Sequence, residues 1–271
     1  MDLKPNDKCY LSEIYSAIQG EGPLVGVRQI FLRFSVCDLR CVWCDTPGSL
    51  VKASICEIEE SVGSRSFIKK KNPITSSELI SFIRNLNPSL HHSLSLTGGE
   101  PLLHHNFLQD FLPHLIGKFS LPIYLESGGH RVDELKNIIK YLDYISMDFK
   151  LPSSAKTNEL WDKHKKFLAV SVDAMRKKNT KSAKILKGIW VKLVITADTL
   201  FEELEYSINL IKSLCKNKDK NYVEVILQPV SQFNGSKPPA ELRLLRIHAK
   251  LLTIYPYIRV LPQVHRLIGQ K

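Results

Sequence analysis

Short apolar runs, rich in β-branched and aromatic residues, alternate along the chain with segments of helical period. The apolar runs predict strands over Arg28 to Val36, Ser93 to Thr97, Leu121 to Glu126, Tyr144 to Lys150, Ile189 to Thr196, Tyr222 to Val230 and Tyr257 to Val264. The helical segments are Ser76 to Leu86, Phe107 to Lys118, Val132 to Tyr141, Phe201 to Lys216 and Ala240 to Tyr255. Several strands show little polar alternation, which is typical of parallel strands covered on both faces. The pattern therefore predicts an α/β protein, either an α/β barrel or an open parallel sheet.

Local signals refine this pattern at three places. Thr75 and Glu78 have the spacing of a capping box at the start of the first predicted helix. A polar insert over 47–73 contains three consecutive lysines, and a basic stretch over 153–187 contains Lys163, Lys165, Lys166, Arg176, Lys177 and Lys178. Both are expected to be helical or loop-like excursions whose charges face water, as charge runs usually do. Since no internal repeat or long linker is present, we expect one domain over 1–271.

Composition and charge narrow the class of protein. The 271 residues are 44% apolar and 24% charged, which is ordinary for a globular chain and excludes disordered, collagen-like and coiled-coil classes. The formal net charge of +11 predicts attraction of anionic partners: nucleic acid, an acidic protein or an anionic small molecule. Apolar stretches such as 188–196 are much shorter than the roughly 20 residues of a membrane span. The start of the chain lacks the plan of a secretory signal, so we expect a cytoplasmic location, where the six cysteines would form no disulfide framework.

Three of the cysteines form a cluster directly after the first predicted strand. Cys37, Cys41 and Cys44 stand in the run Cys-Asp-Leu-Arg-Cys-Val-Trp-Cys. Three thiolates can bind three irons of a cubane cluster. The fourth iron is then open to an external ligand, and an open position distinguishes a working metal site from a structural one. A zinc site with Cys56 as fourth ligand and a disulfide are the alternatives, and both fit the spacing poorly.

A second motif follows the next predicted strand, where residues 95–101 read Ser-Leu-Thr-Gly-Gly-Glu-Pro. Adjacent glycines let a ligand approach the backbone without obstruction by side chains. Most Gly-Gly pairs are only turns. After a strand, and in a chain that also carries the three-cysteine loop, the pair indicates a binding site.

The spacing Cys-x3-Cys-x2-Cys with a downstream Gly-Gly-Glu-Pro resembles the radical S-adenosylmethionine (SAM) superfamily. Within it, the sequence resembles the 7-carboxy-7-deazaguanine synthase family at 16–23, 31–33, 43–46, 148–154, 228–230 and 261–269, so the resemblance spans nearly the whole chain. It implies a partial or modified (β/α) barrel of the radical SAM type. It also implies a 4Fe-4S cluster with SAM on its open iron, and a 5′-deoxyadenosyl radical. The implied reaction converts 6-carboxy-5,6,7,8-tetrahydropterin to 7-carboxy-7-deazaguanine with loss of ammonia, in queuosine and 7-deazapurine biosynthesis.

The same resemblance implies roles for individual residues. Cys37, Cys41 and Cys44 would hold the cluster, and the Thr46 hydroxyl would bind Mg²⁺, a hard cation that prefers oxygen. Substrate contacts would come from Ile18, Gln19, Gly20, Arg33, Thr97, His265 and the terminal carboxylate of Lys271. SAM contacts would come from Gly99, Asp148, Phe149, Lys150, Gln228, Pro229, Val230 and Ser231. Ordinary interpretations stay open: Thr46 as a turn hydroxyl, Arg33 as a surface arginine and Lys271 as a frayed terminus.

The chain departs from the family's pattern in one loop. Where the family often has Glu-Thr-Asn-Gly-Thr, residues 126–130 read Glu-Ser-Gly-Gly-His, which leaves contacts between this loop and the cofactor open. Members of the family are typically homodimers, so a homodimer is expected. Two other functions compete: an activase that installs a radical on a protein partner, and a basic nucleic-acid-binding protein with a structural metal. We favour attraction of the anionic substrate and of an acidic electron donor such as a flavodoxin as the role of the positive charge.

Overall fold

The computed structural model describes residues 6–181, 188–215, 223–232 and 235–270. In chain order the strands are β1 (Lys8–Cys9), β2 (Leu11–Ile18), β3 (Arg28–Phe34), β4 (Ile55–Glu59), β5 (Phe67–Lys71), β6 (Ile74–Thr75), β7 (Ser93–Gly98), β8 (Ile123–Ser127), β9 (Tyr144–Asp148), β10 (Ile189–Ile195), β11 (Val223–Pro229) and β12 (Ile258–Val260). The helices are α1 (Ser76–Asn85), α2 (His105–Lys118), α3 (Val132–Ile138), α4 (Pro152–Ala155), α5 (Trp161–Lys181), α6 (Phe201–Leu214), α7 (Glu241–Ile254) and α8 (Val264–Leu267).

One large sheet organises the molecule, with the strand order β12-β11-β10-β9-β8-β7-β3-β2-β4-β5. The seven strands from β3 to β12 in this order are all parallel, and helices connect β7 to β12 in succession. Strand β2 is antiparallel to β3, and β5 is antiparallel to β4. Among the described residues β5 and β12 each pair on one side only, so the sheet is open. The predicted α/β class and the partial barrel are confirmed.

The parallel strands are apolar because both faces of the sheet are covered. In β8, Ile123, Tyr124 and Leu125 are all buried although successive side chains point to opposite faces. Helices pack over one face, where Leu and Ile side chains of α2 and α6 join the core. The carboxyl ends of neighbouring parallel strands lie at the same edge of the sheet. This edge therefore brings together the loops after β3, β7, β8, β9, β10 and β11.

The insert over 47–73 is not a helical or loop-like excursion, and that prediction is wrong. It contains β4 and β5, which pair antiparallel and extend the sheet beside β2. Lys69, Lys70 and Lys71 lie on β5, an edge strand among the described residues, where lysines oppose pairing with a second chain. Lys70 also forms an ion pair with Glu78 at 2.7 Å. The charged run is thus a solvated edge.

Other differences concern one missed strand and the end of another. Strand β2 was not predicted, although its buried positions place it inside the sheet. Strand β3 ends before Val36, whose φ of 80° is incompatible with an extended strand. The capping box is confirmed, since the Glu78 amide donates to Thr75 Oγ1 at 3.3 Å and the Thr75 amide donates to Glu78 Oε2 at 3.0 Å.

The basic stretch over 153–187 is helical as far as Lys181, in α4 and α5. Residues 182–187 lie outside the described part of the chain, as do the predicted ends at Lys216 and Tyr222. Within the described ranges, no helix has both the length and the apolar character needed to cross a bilayer.

Candidate active site

A cavity of about 360 Å³ opens at the carboxyl edge of the parallel strands. Its walls include Thr97 and Gly98 from β7, Asp148 from β9, Val194 from β10 and Gln228 from β11. Concave sites of this size take small molecules. The position agrees with the usual working face of α/β barrels.

The three clustered cysteines lie together on this wall. Cys37, Cys41 and Cys44 all line the cavity, are partly buried and carry free thiols. Burial raises the pKa of Cys37 to about 11 and also raises the pKa of Cys41. Bound metal ions would supply the positive charge that turns such thiols into thiolate ligands. Cys56, buried on β4, does not line the cavity as a fourth zinc ligand would.

The Gly-Gly pair fixes the end of β7 against the segment that leads into the cysteine loop. The amide of Gly99 donates to Phe34 O at 2.8 Å, and the amide of Glu100 donates to Val36 O at 2.9 Å. A Cβ at Gly98 would overlap Phe34 O, and a Cβ at Gly99 would overlap Val36 O. Gly98 also has a φ of 117°, which L side chains rarely adopt. The glycines therefore allow two backbones to approach closely and leave Gly99 exposed to the cavity.

Five of the predicted SAM residues line the cavity: Gly99, Asp148, Lys150, Gln228 and Val230. Asp148 Oδ1 and Gln228 Oε1 are buried and have no hydrogen-bond partner within the described structure. Buried polar atoms are normally paired, so two unpaired atoms on one cavity wall indicate a polar ligand. This set of groups fits a 4Fe-4S cluster held by the three thiols, with SAM bound by Gly99, Asp148 and Gln228.

Three predicted SAM residues do not line the cavity, namely Phe149, Pro229 and Ser231. The Phe149 side chain is 1% exposed, and its ring packs on His164 with centroids 4.2 Å apart. The Ser231 amide donates to Gln263 Oε1 at 3.3 Å. The positions of these three residues therefore do not support side-chain contacts with a ligand in the cavity.

The predicted substrate residues Ile18, Gln19, Gly20, Arg33, Thr97 and His265 line the same cavity. Arg33 is not a surface arginine: its side chain is 13% exposed, Nε lies 2.7 Å from Glu13 Oε2, and Nη2 donates to the Tyr15 hydroxyl. Burial opposes its charge, but Tyr15 and Glu13 outweigh burial and raise the pKa of Arg33. A fixed guanidinium therefore faces the cavity.

The carboxyl-terminal segment closes one side of this region. The Val264 amide donates to Gly20 O at 2.9 Å, and a Cβ at Gly20 would overlap His265. Gln270 also lines the cavity, and its amide donates to His265 O at 2.8 Å. The predicted role of Lys271 lies outside the described residues.

Sequence reasoning missed a network of buried charges. The ammonium of Lys192 contacts Glu21 Oε2 and lies 3.5 Å from Asp148 Oδ2. Gln263 Nε2 donates to Glu21 Oε1 at 2.8 Å and to Asp45 Oδ2 at 3.0 Å. Burial would raise the pKa of Glu21, but Lys192 outweighs it and lowers that pKa to about 2. The available signal was the lysine inside the apolar run of β10, because a lone buried lysine requires partners.

A second missed residue is Glu126, at the end of β8. Its Oε1 accepts from Ser95 Oγ at 2.7 Å and from Gln19 Nε2 at 3.1 Å, and the residue lines the cavity. Burial raises its pKa, an effect that Lys192 reduces. The cavity thus holds a buried carboxyl group that accepts two side-chain hydrogen bonds.

One group of side chains has metal-binding geometry. Glu21, Asp45 and His265 each offer a ligand atom, and these atoms lie within 4.8 Å of one another. Lys192 contacts Glu21, Arg266 lies 3.8 Å from Asp45, and Gln263 donates to both carboxylates. Thr46, the predicted Mg²⁺ ligand, follows Asp45 and lines the same cavity, with its hydroxyl 3.9 Å from Cys44 Sγ.

The loop over 126–130 contacts the Gly-Gly region through Glu100. Ser127 Oγ and the Gly128 amide each donate to the Glu100 carboxylate at 2.9 Å. The hydroxyl of Ser127 is therefore committed to Glu100, although Ser127 and Gly128 also line the cavity. His130 reaches the cysteine loop instead, through Asp38 at 2.9 Å.

Comparison with known proteins first defines the class. Residues 18–168 match the family model described as a 4Fe-4S single cluster domain. The fold matches the crystal structure of QueE from Escherichia coli with a TM-score of 0.58 and 18% identity, covering 95% of each chain. It also matches a radical SAM methyltransferase from Sphaerobacter thermophilus, with a TM-score of 0.55 and 13% identity over 87% of this chain and 66% of that one. The chain therefore carries a 4Fe-4S single cluster domain, and its fold is that of radical SAM enzymes.

Full-length relatives give the particular family. The 7-carboxy-7-deazaguanine synthase of Geobacter sulfurreducens is 36% identical over 266 residues, covering 96% of this chain and 97% of the relative. The synthase of Archaeoglobus fulgidus is 32% identical, again covering 96% and 97%. The chain belongs to the 7-carboxy-7-deazaguanine synthase family.

Proposed function

We propose that this enzyme converts 6-carboxy-5,6,7,8-tetrahydropterin to 7-carboxy-7-deazaguanine with loss of ammonia, in the biosynthesis of queuosine and related 7-deazapurines. One observation supports the proposal above others: the cluster cysteines and the polar side chains suited to a pterin carboxylate share one cavity of about 360 Å³. A radical formed at the cluster would be released beside its target. The cavity walls would keep water away from the radical and so limit side reactions.

On one side of the cavity, the three cysteines would hold the cluster, and the exposed backbone of Gly99 with Asp148 and Gln228 would hold SAM. When bound, the cluster and SAM supply a 5′-deoxyadenosyl radical. Lys150 lies 2.7 Å from Asp148 Oδ2 and 4.5 Å from the ring of Trp43, which fixes its ammonium at the cavity wall. The protein's own task here is to position these groups and to shield them.

On the other side, Arg33 would bind the substrate carboxylate, since a guanidinium held by Glu13 and Tyr15 keeps its orientation. The amino-pyrimidinone edge of a pterin presents N–H donors. Glu126 and Gln19 offer acceptors for it on the same wall. Lys192 keeps Glu21 ionised, so Glu21 is a third acceptor in this region.

Magnesium is part of the proposal. Thr46 and Asp45 offer adjacent oxygen atoms at the cavity wall, and Mg²⁺ prefers oxygen ligands with several positions left for water or substrate. A substrate carboxylate bound by Arg33 would complete such a site. Mg²⁺ would then hold the carboxylate in a fixed orientation.

We further propose that chain 1–271 forms one radical SAM domain, acts as a homodimer in the cytoplasm, and receives electrons from an acidic donor such as a flavodoxin. The free thiols of all six cysteines suit a reducing compartment. The net charge of +11 suits an acidic partner. An activase is less well supported, because the small polar cavity fits a pterin better than a protein segment. Nucleic-acid binding, which the net charge and the lysine clusters suggested, is less well supported, because the relatives that match 96% of this chain are 7-carboxy-7-deazaguanine synthases.

The test is anaerobic reconstitution with iron and sulfide, then incubation with dithionite, SAM, Mg²⁺ and 6-carboxytetrahydropterin, with products identified by mass. We expect 7-carboxy-7-deazaguanine and ammonia. Formation of 5′-deoxyadenosine without that product would reject the substrate and keep the radical class. Failure to form a cluster would favour the alternative of a structural zinc site at these cysteines.

A further inference from the structure

His130 connects the loop after β8 to the cysteine loop. The residue is 5% exposed, and its Nε2 lies 2.9 Å from both carboxylate oxygens of Asp38, which directly follows Cys37. Because a carboxylate only accepts hydrogen bonds, Nε2 carries the hydrogen. The neighbouring Arg131 adds a second donor, with Nη2 at 2.7 Å from Asp38 Oδ2. Two donors from one loop thus hold one side chain of the cysteine loop.

The other face of the His130 ring lies near the Gly-Gly region. Its Nδ1 is buried without a hydrogen-bond partner in the described structure and lies 4.0 Å from Glu100 Oε2. Glu100 is itself fixed, since it accepts from the amides of Gly128 at 2.9 Å and Leu102 at 3.1 Å. The ring therefore stands between the carboxylate next to Cys37 and the carboxylate next to Gly99.

The Asp38 carboxylate lies beside the first cysteine, which it directly follows in the chain. Two donors reach it, His130 Nε2 at 2.9 Å and Arg131 Nη2 at 2.7 Å. The negative charge beside a cluster cysteine is thus paired with hydrogen-bond donors from the loop after β8.

We propose that His130 is a positioning residue for the cluster: through Asp38 it holds the Cys37 segment in place, and with Arg131 it offsets the Asp38 charge beside the cluster. The inference rests on the cluster role of Cys37 in the proposed function. Hydrogen bonds and local charge are among the factors that set the potential of an iron–sulfur cluster. The residue acts through Asp38 and touches neither cluster nor substrate.

The experiment compares reconstituted wild type with His130→Phe, which keeps a planar ring but donates nothing, and His130→Gln, which restores a donor. Lys136→Gln, an exposed change on α3, serves as the matched control. Two properties are measured: iron release to a chelator, and the midpoint potential of the cluster by a redox titration followed by electron paramagnetic resonance. We expect about fivefold to tenfold faster iron release for the Phe variant, in line with the loss of a charge-assisted hydrogen bond. Its potential should shift to a more negative value, and the Gln variant and the control should resemble the wild type.

Iron release and potential that are unchanged in a loaded, folded His130→Phe variant would overturn the inference and leave the proposed function intact. A wild-type chain that takes up no cluster would overturn both. Should the Phe variant not fold, Asp38→Asn replaces it, because it keeps an accepting oxygen and removes the charge. That variant is expected to shift the potential to a less negative value, and a wild-type potential would contradict the inference.

Discussion

The two sides of the cavity are built by different means. On the cluster side, three cysteines within eight residues meet the turn after β7, where the amides of Gly99 and Glu100 donate to Phe34 O at 2.8 Å and to Val36 O at 2.9 Å. On the substrate side, charged side chains come from distant parts of the sequence: Glu21 pairs with Lys192 and with Gln263, which are 171 and 242 residues away. Local sequence and backbone geometry therefore determine one side, and buried side-chain pairing determines the other.

The largest expected effect comes from Lys192→Met on the substrate side. It leaves Glu21 without its ammonium partner and Asp148 with Lys150 alone, and breaking a buried ion pair of this kind typically costs about 3–5 kcal/mol in the free energy of unfolding. Denaturant unfolding of the metal-free protein measures this loss. The matched control, Lys163→Met on the exposed side of α5, should stay within about 0.5 kcal/mol of wild type. A loss below about 1 kcal/mol for Lys192→Met would show that the buried pairing does not organise this side.

The second-largest expected effect comes from Gly99→Ala on the cluster side. The added Cβ would overlap Val36 O and approach Ser49 O, so β7 can no longer lie against the cysteine segment. We expect a loss of about 1–3 kcal/mol in stability and a marked fall in iron bound per chain after reconstitution. The control is Gly117→Ala in α2, where a Cβ meets nothing within 4 Å. Iron content equal to wild type in the Gly99 variant would contradict the close-approach role.

The comparison is sharpened by Gln263→Leu, which removes the donor shared by Glu21 and Asp45. Because these bonds go to carboxylates, we expect KM for the pterin to rise by about tenfold, with iron content unchanged. Steady-state kinetics at saturating SAM measure KM, and iron analysis measures the iron bound per chain. Reduced iron uptake would show that the two sides are not separable.

The smallest expected effect is a change in the pH dependence of stability, and it is confined to acidic pH. Glu21 has a folded-state pKa of about 2, below its ordinary value of 4.5, because Lys192 outweighs burial. Its stabilising contribution is present above pH 4.5 and is lost as the pH falls toward 2, since the unfolded state then binds the proton first. Glu21→Gln should show a shallower loss of unfolding free energy than wild type in this window. Glu205→Gln, an exposed change on α6, should follow the wild-type curve; parallel curves for all three would refute the assignment.

The same contrast explains how much the sequence could predict. The alternation of strands and helices, the capping box at Thr75 and the gathering of the cysteines with Gly99 rest on local patterns, and the structure shows them. Strand β5 was missed because a polar, lysine-rich edge strand lacks the apolar run that indicates a strand. Strand β4 was missed because its five residues, Ile-Cys-Glu-Ile-Glu, are too few and too polar to give such a run. Glu21, Lys192 and Gln263 were missed because their roles depend on contacts that only the folded sheet creates. The role of Phe149, which the family resemblance implies, stays a prediction: its side chain is 1% exposed and does not line the cavity.

Transfer of isotope between substrate and cofactor would decide whether both sides of the cavity serve one reaction. The wild-type enzyme would be incubated with SAM and 6-carboxytetrahydropterin deuterated on its saturated ring, and the recovered SAM and 5′-deoxyadenosine analysed by mass. If the radical is released beside the pterin, deuterium enters the adenosyl group while 7-carboxy-7-deazaguanine forms. Cleavage of SAM with no deuterium in either product would contradict a shared cavity for the two molecules.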